Sequence, residues 1–190
     1  AVYGSNIWEG AWQGAAGGMA VGGIVWAKNN YVTNKFLKNN VQWDSSVSDA
    51  DKAKFTQGIK EAGQSPLGQR TFSKYMASNK ILTIHAFAEA NGKGVVGGSD
   101  IWLNPDIDTI RNIDADGYNQ FKTIDMGTYM LHEMGHNLGF SDRAMGSWLG
   151  TRALNVSYNE NPYRAWIGTP TRTGYTREGD VPFGQWRYQY

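Results

Sequence analysis

Two of the three histidines in this chain lie four residues apart, with a glutamate directly after the first. The run reads His132-Glu133-Met134-Gly135-His136. Residues at i and i+4 of a helix share one face, so both imidazoles can bind a single metal ion. The Glu133 carboxylate can reach a water that the metal activates without binding the metal itself. The pattern predicts a zinc site at which Glu133 is the general base for hydrolysis of a peptide or amide bond.

A catalytic zinc site needs a third protein ligand, and two acidic residues are candidates. Asp142 completes the pattern H-E-x-x-H-x-x-G-x-x-D, which resembles the long metzincin motif with aspartate in the last place. In that family Gly139 turns the chain back toward the metal, and a methionine-containing turn lies below the site. Met145 follows Asp142 too closely for that turn, and no methionine occurs after it. The chain therefore departs from the metzincin pattern.

Glu160 is the second candidate, and we favour it as the third ligand. It lies on a segment that can form a helix after the motif helix, and a glutamate on a following helix is the third ligand in thermolysin-like sites. Asp142 stays open as the alternative ligand. If Glu160 binds the metal, Asp142 can instead accept a hydrogen bond from the far nitrogen of a histidine ligand, or cap the turn after Gly139.

The residues from Glu160 to Tyr175 read E-N-P-Y-R-A-W-I-G-T-P-T-R-T-G-Y. They are similar to the E-N-x-x-R…G-x-P-x-R…Y pattern that follows H-E-x-x-H in the M91-type effector zinc metallopeptidases. The resemblance covers residues 95–175. It implies that His132 and His136 are the histidine ligands, that Glu133 is the general base, and that Glu160 is the acidic residue of the second motif.

The two motifs together also resemble the metallopeptidase extension at the C-terminus of some type VI secretion VgrG spike proteins. That resemblance implies a secreted effector or toxin domain that follows a carrier domain and is delivered into a target cell. The periplasm of a target bacterium is one expected site of action, and an immunity protein is an expected partner. The chain begins with Ala1, and its glycine-rich start agrees with such a carrier.

Several side chains of the second motif can donate a hydrogen bond to the oxyanion that forms on an attacked carbonyl. The candidates for this role or for contact with substrate are Tyr163, Arg164, Arg172 and Tyr175. Arg164 can equally pair with a carboxylate. The third histidine, His85, lies in an apolar strand, and we expect it to be a hydrogen-bonded core residue and not a metal ligand.

Composition narrows the partners of the chain. Its 190 residues carry a net charge of +1, which provides no overall attraction to nucleic acid. The chain has no cysteine, so disulfides, thiolate ligands and a cysteine nucleophile are excluded. The apolar stretch from Gly14 to Ala27 is shorter than the about 20 residues that cross a bilayer, so we expect no transmembrane segment.

Periodicity and end signals predict the elements around the motif. We expect helices from Ser48 to Gly63, from Pro66 to Ser78, from Thr123 or Asp125 to Gly139, and from Asn159 to Trp166. Strands are expected at 81–87 and 99–104, paired as a hairpin, with Ile101 to Asn104 as an edge strand that can pair with an extended peptide substrate. Residues 105–122 are polar and rich in aspartate, and the pattern Asn112-x-Asp114-x-Asp116-Gly117 within them is expected to form a polar turn.

The predicted fold is α+β and zincin-like, with a small antiparallel sheet packed on the H-E-x-x-H helix. Residues 1–46 are expected to be irregular and linker-like, and residues 47–190 to form one metallopeptidase domain. A protein substrate is favoured, with a peptidoglycan stem peptide as the other possibility. The alternative function is a non-catalytic, zinc-stabilised binding domain, whose closed site would consist of His132, His136, Asp142 and Glu160.

Overall fold

The computed structural model describes residues 6–88, 93–95, 97–106, 109–113, 119–140, 155–169 and 171, and gives the backbone alone for 6–21, 109–113, 119–123 and 157. The described part is a mixed α+β fold. Its helices are α1 (Asn6–Asn40), α2 (Asp49–Ala62), α3 (Pro66–Ala77), α4 (Met126–Asn137) and α5 (Asn161–Trp166). A π-helical turn, Val156–Glu160, leads directly into α5. The strands are β1 (Val41–Trp43), β2 (Leu82–Ala86), β3 (Lys93–Gly94), β4 (Asp100–Leu103), β5 (Thr109–Ile113) and β6 (Asn119–Thr123).

The larger sheet has the strand order β1-β2-β4-β3. Strands β1, β2 and β4 are parallel, with Ile84 opposite Ile101, and β3 alone is antiparallel to its neighbour. The predicted antiparallel pairing of 81–87 with 99–104 is therefore wrong, although both strands exist. The reason is that β3, between them in sequence, forms the hairpin with β4, so that β2 reaches β4 by a longer crossover and in parallel.

The strand predicted to lie at the sheet edge is also paired on both sides. β4 has β2 on one side and β3 on the other, so the end of the sheet nearest the motif helix is β3. Gly94 on β3 lies directly against that helix, since a methyl group there would be 2.4 Å from the carbonyl oxygen of Glu133. The polar stretch after β4 carries a separate antiparallel hairpin of β5 and β6.

Helices α2 and α3 begin and end close to where the sequence places them. Ser48 caps α2 by accepting a hydrogen bond from the backbone N–H of Asp51 at 3.2 Å. Ser65 caps α3 through the N–H of Gly68 at 2.9 Å, with Pro66 in the first turn. Both patterns are common helix starts. The large apolar residues that recur at helical spacing along these two helices are buried, as is Ala62: Phe55, Ile59, Leu67, Phe72 and Tyr75.

The N-terminal segment differs most from the prediction. In place of turns and short helices, the structure has the 35-residue helix α1. Its last turns enter the core, where the ring of Phe36 stacks on Phe72 with a centroid distance of 4.4 Å and meets Tyr75 edge-on. Phe36 thus shares a core with residues beyond the predicted boundary at residue 47. No helix among the described residues combines the length and apolar character that a membrane span requires.

Helix α4 is enclosed by the other elements, and every residue from Gly127 to Asn137 is buried. Its N-terminal end packs on α2, where a methyl group on Gly58 would lie 2.5 Å from the side chain of Met126. Met130, Leu131 and Met134 join the hydrophobic core. The motif helix is therefore fixed by packing along its whole length before any ligand is considered.

Candidate metal centre

The ends of α4 are fixed by local sequence. Asp125 caps its start by accepting a hydrogen bond from the N–H of Thr128 at 2.8 Å. At the other end Gly139 has φ +94°, a left-handed conformation that glycine adopts at little cost, and its N–H donates to the carbonyl oxygen of His136 at 2.8 Å. The start at Asp125 and the end at Gly139 confirm the predicted bounds. The Lys80 ammonium, whose pKa is lowered by burial, donates to the carbonyl oxygen of Asn137 at 2.5 Å.

Both motif histidines have the Nδ1 atom in contact with an oxygen that can only accept. His132 Nδ1 lies 2.9 Å from Glu160 Oε2. His136 Nδ1 lies 2.8 Å from the carbonyl oxygen of Phe140, which the turn at Gly139 brings back over the helix end. These oxygens favour a proton on each Nδ1, and a neutral ring with that proton keeps its lone pair on Nε2, the tautomer that binds metal through Nε2.

A buried group of three side chains in α4 can hold a metal ion. One ligand atom from each of His132, Glu133 and His136 lies within 4.8 Å of the others. The three residues are 7%, 5% and 8% exposed. The nearest Glu133 oxygen, Oε2, is 3.9 Å from His136 Nε2. Tyr129 lies one helical turn before Glu133. Burial raises the pKa of its hydroxyl, and the negative charge of Glu133 raises it further.

Glu160 lies beside this group, on the far side of the His132 ring. It is 1% exposed, its Oε2 atom contacts His132 Nδ1, and its Oε1 atom accepts a hydrogen bond from Arg164 Nε at 2.7 Å. The Glu160 carboxylate thus bonds to Nδ1 of His132, and Nε2 on the other side of the ring is the atom that can bind an ion. This is the position of an outer-sphere partner. The assignment of Glu160 as direct third ligand stays a prediction.

Two of the predicted substrate contacts have other partners in the structure. Arg164 is 2% exposed and forms the ion pair with Glu160, which is the carboxylate pairing that the sequence left open. Tyr163 points to the opposite end of α4. Burial raises the pKa of its hydroxyl, and the nearby charges of Asp125 and Glu61 raise it further, as does the hydrogen bond with Asp125. A role for either side chain in contacting substrate stays a prediction.

Sequence reasoning missed two asparagines that contact the motif helix. The Asn155 Nδ2 atom lies 3.2 Å from His132 Nε2 and 3.2 Å from His136 Nε2. Asn159 Nδ2 donates to Asn155 Oδ1 at 2.9 Å. Both asparagines are buried, Asn155 completely. Their i, i+4 spacing just before Glu160 was the signal available in the sequence.

The π-helical turn explains how these side chains reach α4 together with Glu160. Its wide turn is closed by the N–H of Asn161 bonding to the carbonyl oxygen of Val156, five residues back. In a regular α-helix, residues 155 and 160 would point roughly 140° apart. The wider turn reduces that angle, so Asn155 and Glu160 both face His132.

Four predicted residues remain, and the structure describes one of them, His85. Asp142, Arg172 and Tyr175 lie outside the described residues. His85 lies on β2, where its Nε2 is 2.9 Å from Asp100 Oδ1 and its ring stacks on Trp102. It is half-buried and lies outside the group of candidate ligands on α4. Comparison with models of protein families gives no match, and no curated protein matches this sequence. The M91-type resemblance therefore stays a prediction that rests on the motif residues.

Proposed function

We propose that this chain is a zinc-dependent peptidase or amidase in which Glu133 is the general base. One observation carries the proposal: one ligand atom from each of His132, Glu133 and His136 lies within 4.8 Å of the others in a buried group. Two neutral imidazoles and a nearby carboxylate suit zinc, and no cysteine thiolate competes for the ion. The residues present thus fit the metal that the motif implies.

A zinc ion bound there supplies Lewis acidity, which lowers the pKa of water and polarises a carbonyl group. The side chains of the protein transfer the proton and orient the imidazoles. Glu133 Oε2 takes the proton from the attacking water and returns it to the leaving nitrogen. The Glu160 carboxylate and the Phe140 carbonyl oxygen accept hydrogen bonds from the two Nδ1–H groups. Neither imidazole can then rotate or change tautomer during the reaction.

We extend the proposal to the biological role. The E-N-x-x-R part of the M91-type pattern corresponds to Glu160, Asn161 and Arg164, and all three are buried next to the metal-binding helix. This supports a secreted effector or toxin domain, delivered by a carrier such as a VgrG spike and neutralised in the producing cell by an immunity protein. The substrate is a protein or peptide, in the target cell or its periplasm.

A second candidate is a zinc-stabilised binding domain without catalysis. The burial of His132, Glu133 and His136 favours it, because a structural zinc site is shielded from solvent and closed by protein ligands. The aspartate-type metzincin remains a further alternative that depends on Asp142. The presence of Glu133 argues for the enzyme, since a structural site has no need of a base beside its ligands.

The test is the substitution Glu133→Gln, with His132→Ala and Glu61→Gln as comparisons. Glu61 is an exposed carboxylate on α2 outside the site. Metal content is measured by mass spectrometry, and cleavage is measured on an unbiased peptide library. We expect Glu133→Gln to keep one zinc and lose activity about 10²–10⁴-fold, His132→Ala to lose both, and Glu61→Gln to retain both. Undiminished cleavage by Glu133→Gln would overturn the catalytic proposal.

A further inference from the structure

Arg164 belongs to a chain of three side chains that leads to the candidate metal site. Its Nε atom donates a hydrogen bond to Glu160 Oε1 at 2.7 Å, and Glu160 Oε2 lies 2.9 Å from His132 Nδ1. All three residues are buried. The guanidinium is therefore linked to a candidate metal ligand through the two oxygens of one carboxylate.

We infer that Arg164 is a positioning residue for the metal site: it fixes the orientation of the Glu160 carboxylate and, through that carboxylate, the imidazole ring of His132. The inference rests on the proposed function, because it concerns the same candidate zinc site. It holds whether Glu160 binds the ion directly or bonds to the far nitrogen of His132, since the carboxylate has to keep its orientation in both arrangements.

The geometry of the ion pair suits this role. Arg164 follows Glu160 by four residues, a spacing at which helical side chains are neighbours. A guanidinium is planar and donates in fixed directions, so it restricts the orientation of a carboxylate more than a lysine ammonium does. With Oε1 bonded to Arg164, the second oxygen faces His132. A carboxylate bonded through both oxygens cannot turn about its last side-chain bond without breaking a contact.

Burial makes a cationic partner for Glu160 important. A carboxylate in the protein interior loses its hydration, and pairing and hydrogen bonding with a cation offset that cost. A neutral His132 supplies an N–H group but no positive charge, whereas an arginine is always charged. Arg164 therefore stabilises the negative charge of Glu160 at the place where the imidazole needs an acceptor.

The backbone of Arg164 is itself fixed at the end of α5. Gly168 has φ +73°, and the chain turns back there. The N–H and the hydroxyl of Thr169 both donate to the carbonyl oxygen of Arg164, at 2.9 and 3.3 Å. Pro162 lies in the first turn of the same helix, where its fixed φ is favourable. The guanidinium thus extends from a rigid short helix toward Glu160.

A positioning role predicts that Arg164 and Glu160 act on zinc affinity as a unit. Arg164→Met removes the cation, Arg164→Lys keeps the charge without the planar group, and Glu160→Gln removes the carboxylate charge. The combined variant of Arg164→Met and Glu160→Gln carries neither charge. Because residues in one hydrogen-bond network have non-additive effects, the combined variant should bind zinc no more weakly than Glu160→Gln alone.

The experiment measures zinc affinity by competition with a chromophoric chelator, and the hydrogen bond at His132 Nδ1 by NMR of the imidazole nitrogens in the metal-free protein. We expect Arg164→Met to lower zinc affinity about 10–100-fold, as loss of an outer partner does, and to shift the Nδ1 resonance of His132. Arg164→Lys should lie between this variant and the parent.

Arg70→Met is the matched control. Arg70 is an exposed arginine on α3 that bonds to the same segment through the backbone carbonyl oxygen of Tyr158, at 3.3 Å, and not through a carboxylate. The control substitution is chemically identical to Arg164→Met, and it should leave both zinc affinity and the His132 resonance unchanged.

Unchanged zinc affinity and an unchanged His132 resonance in Arg164→Met would overturn the inference, because the ion pair would then serve the fold alone. If Arg164→Met does not fold, the combined variant decides, since it buries no unpaired charge. An affinity of that variant clearly below that of Glu160→Gln would show that Arg164 acts apart from the carboxylate. A parent protein that binds no zinc would contradict the proposed function, and the His132 resonance of the metal-free variants would still test the role of Arg164.

Discussion

Gly135 lies in the motif helix α4, at the place where two buried asparagines pack against it. A methyl group at this position would lie 2.1 Å from Asn155 Oδ1 and 2.6 Å from Asn159 Nδ2. Those distances are far below van der Waals contact, so the close approach depends on the missing side chain. The helix tolerates glycine there, at a cost of about 1 kcal/mol relative to alanine, because packing fixes its backbone.

The substitution Gly135→Ala should therefore destabilise the fold although alanine is the better helix former. We expect a loss of about 3 kcal/mol, the upper end of the cost of overpacking, and a weaker metal affinity because Asn155, which contacts both histidine rings, is displaced. Chemical denaturation and zinc titration measure the two effects.

Gly23→Ala in α1 is the control for this substitution. A methyl group on Gly23 would meet no atom within 4 Å, so the change should stabilise the chain by about 0.5–1 kcal/mol. Equal effects of the two substitutions would contradict the steric argument.

At the scale of elements, the start of α4 joins the motif helix to α5. Asp125 accepts hydrogen bonds from the N–H and the hydroxyl of Thr128, and its carboxylate is also bonded to the buried hydroxyl of Tyr163. One side chain thus caps the helix and ties it to the segment that carries Glu160. An N-cap bond alone contributes about 1 kcal/mol.

Asp125→Ala should accordingly cost more than an ordinary cap. We expect a loss of about 2 kcal/mol, at the top of the range for N-caps, because Tyr163 also loses its acceptor in a buried environment. Ser48→Ala, which removes the exposed cap of α2, should cost about 0.5–1 kcal/mol. Urea denaturation of both variants measures the difference, and a smaller loss for Asp125→Ala than for Ser48→Ala would refute the dual role.

The elements that could be predicted from sequence are those with local signals. Ser48, Pro66 and Gly139 mark helix ends through their own backbone preferences, and the H-E-x-x-H spacing alone brings two histidines to one face. The pairing of β2 with β4 could not be predicted in the same way, because it depends on where β3 inserts. Helix α1 was missed because its glycines lower helix propensity and its apolar residues lack a helical period.

The residues of the candidate site also divide into those that sequence spacing predicts and those that it does not. His132, Glu133 and His136 follow from spacing, whereas Asn155 depends on a π-helical turn. Such a turn inserts one residue into the helical repeat and changes which residues share a face. No periodicity in residues 143–158 indicated it. The position of Glu160 relative to His132 Nδ1 likewise depends on how two separate segments pack, which spacing along the chain does not determine.

At the scale of the whole molecule, the candidate metal site connects two distant parts of the chain. Helix α4 supplies the histidines, and the segment from Asn155 to Arg164 supplies the side chains around them. The unfolded chain holds these segments apart and has no preformed site, so metal binds the folded state preferentially. Binding energy then adds directly to the free energy of unfolding.

Zinc should therefore raise the melting temperature of the whole fold. At a free zinc concentration 100 times the dissociation constant, binding adds about 2.7 kcal/mol, which for a chain of this size corresponds to about 5–10 °C. Differential scanning calorimetry with and without a chelator measures the shift. Glu133→Gln should keep it, because the base is not a ligand, whereas the double variant of His132 and His136 to Ala should abolish it. A melting temperature that does not respond to zinc in the parent would mean that the histidine pair serves packing alone, because an ion that binds only the folded state cannot leave the unfolding equilibrium unchanged.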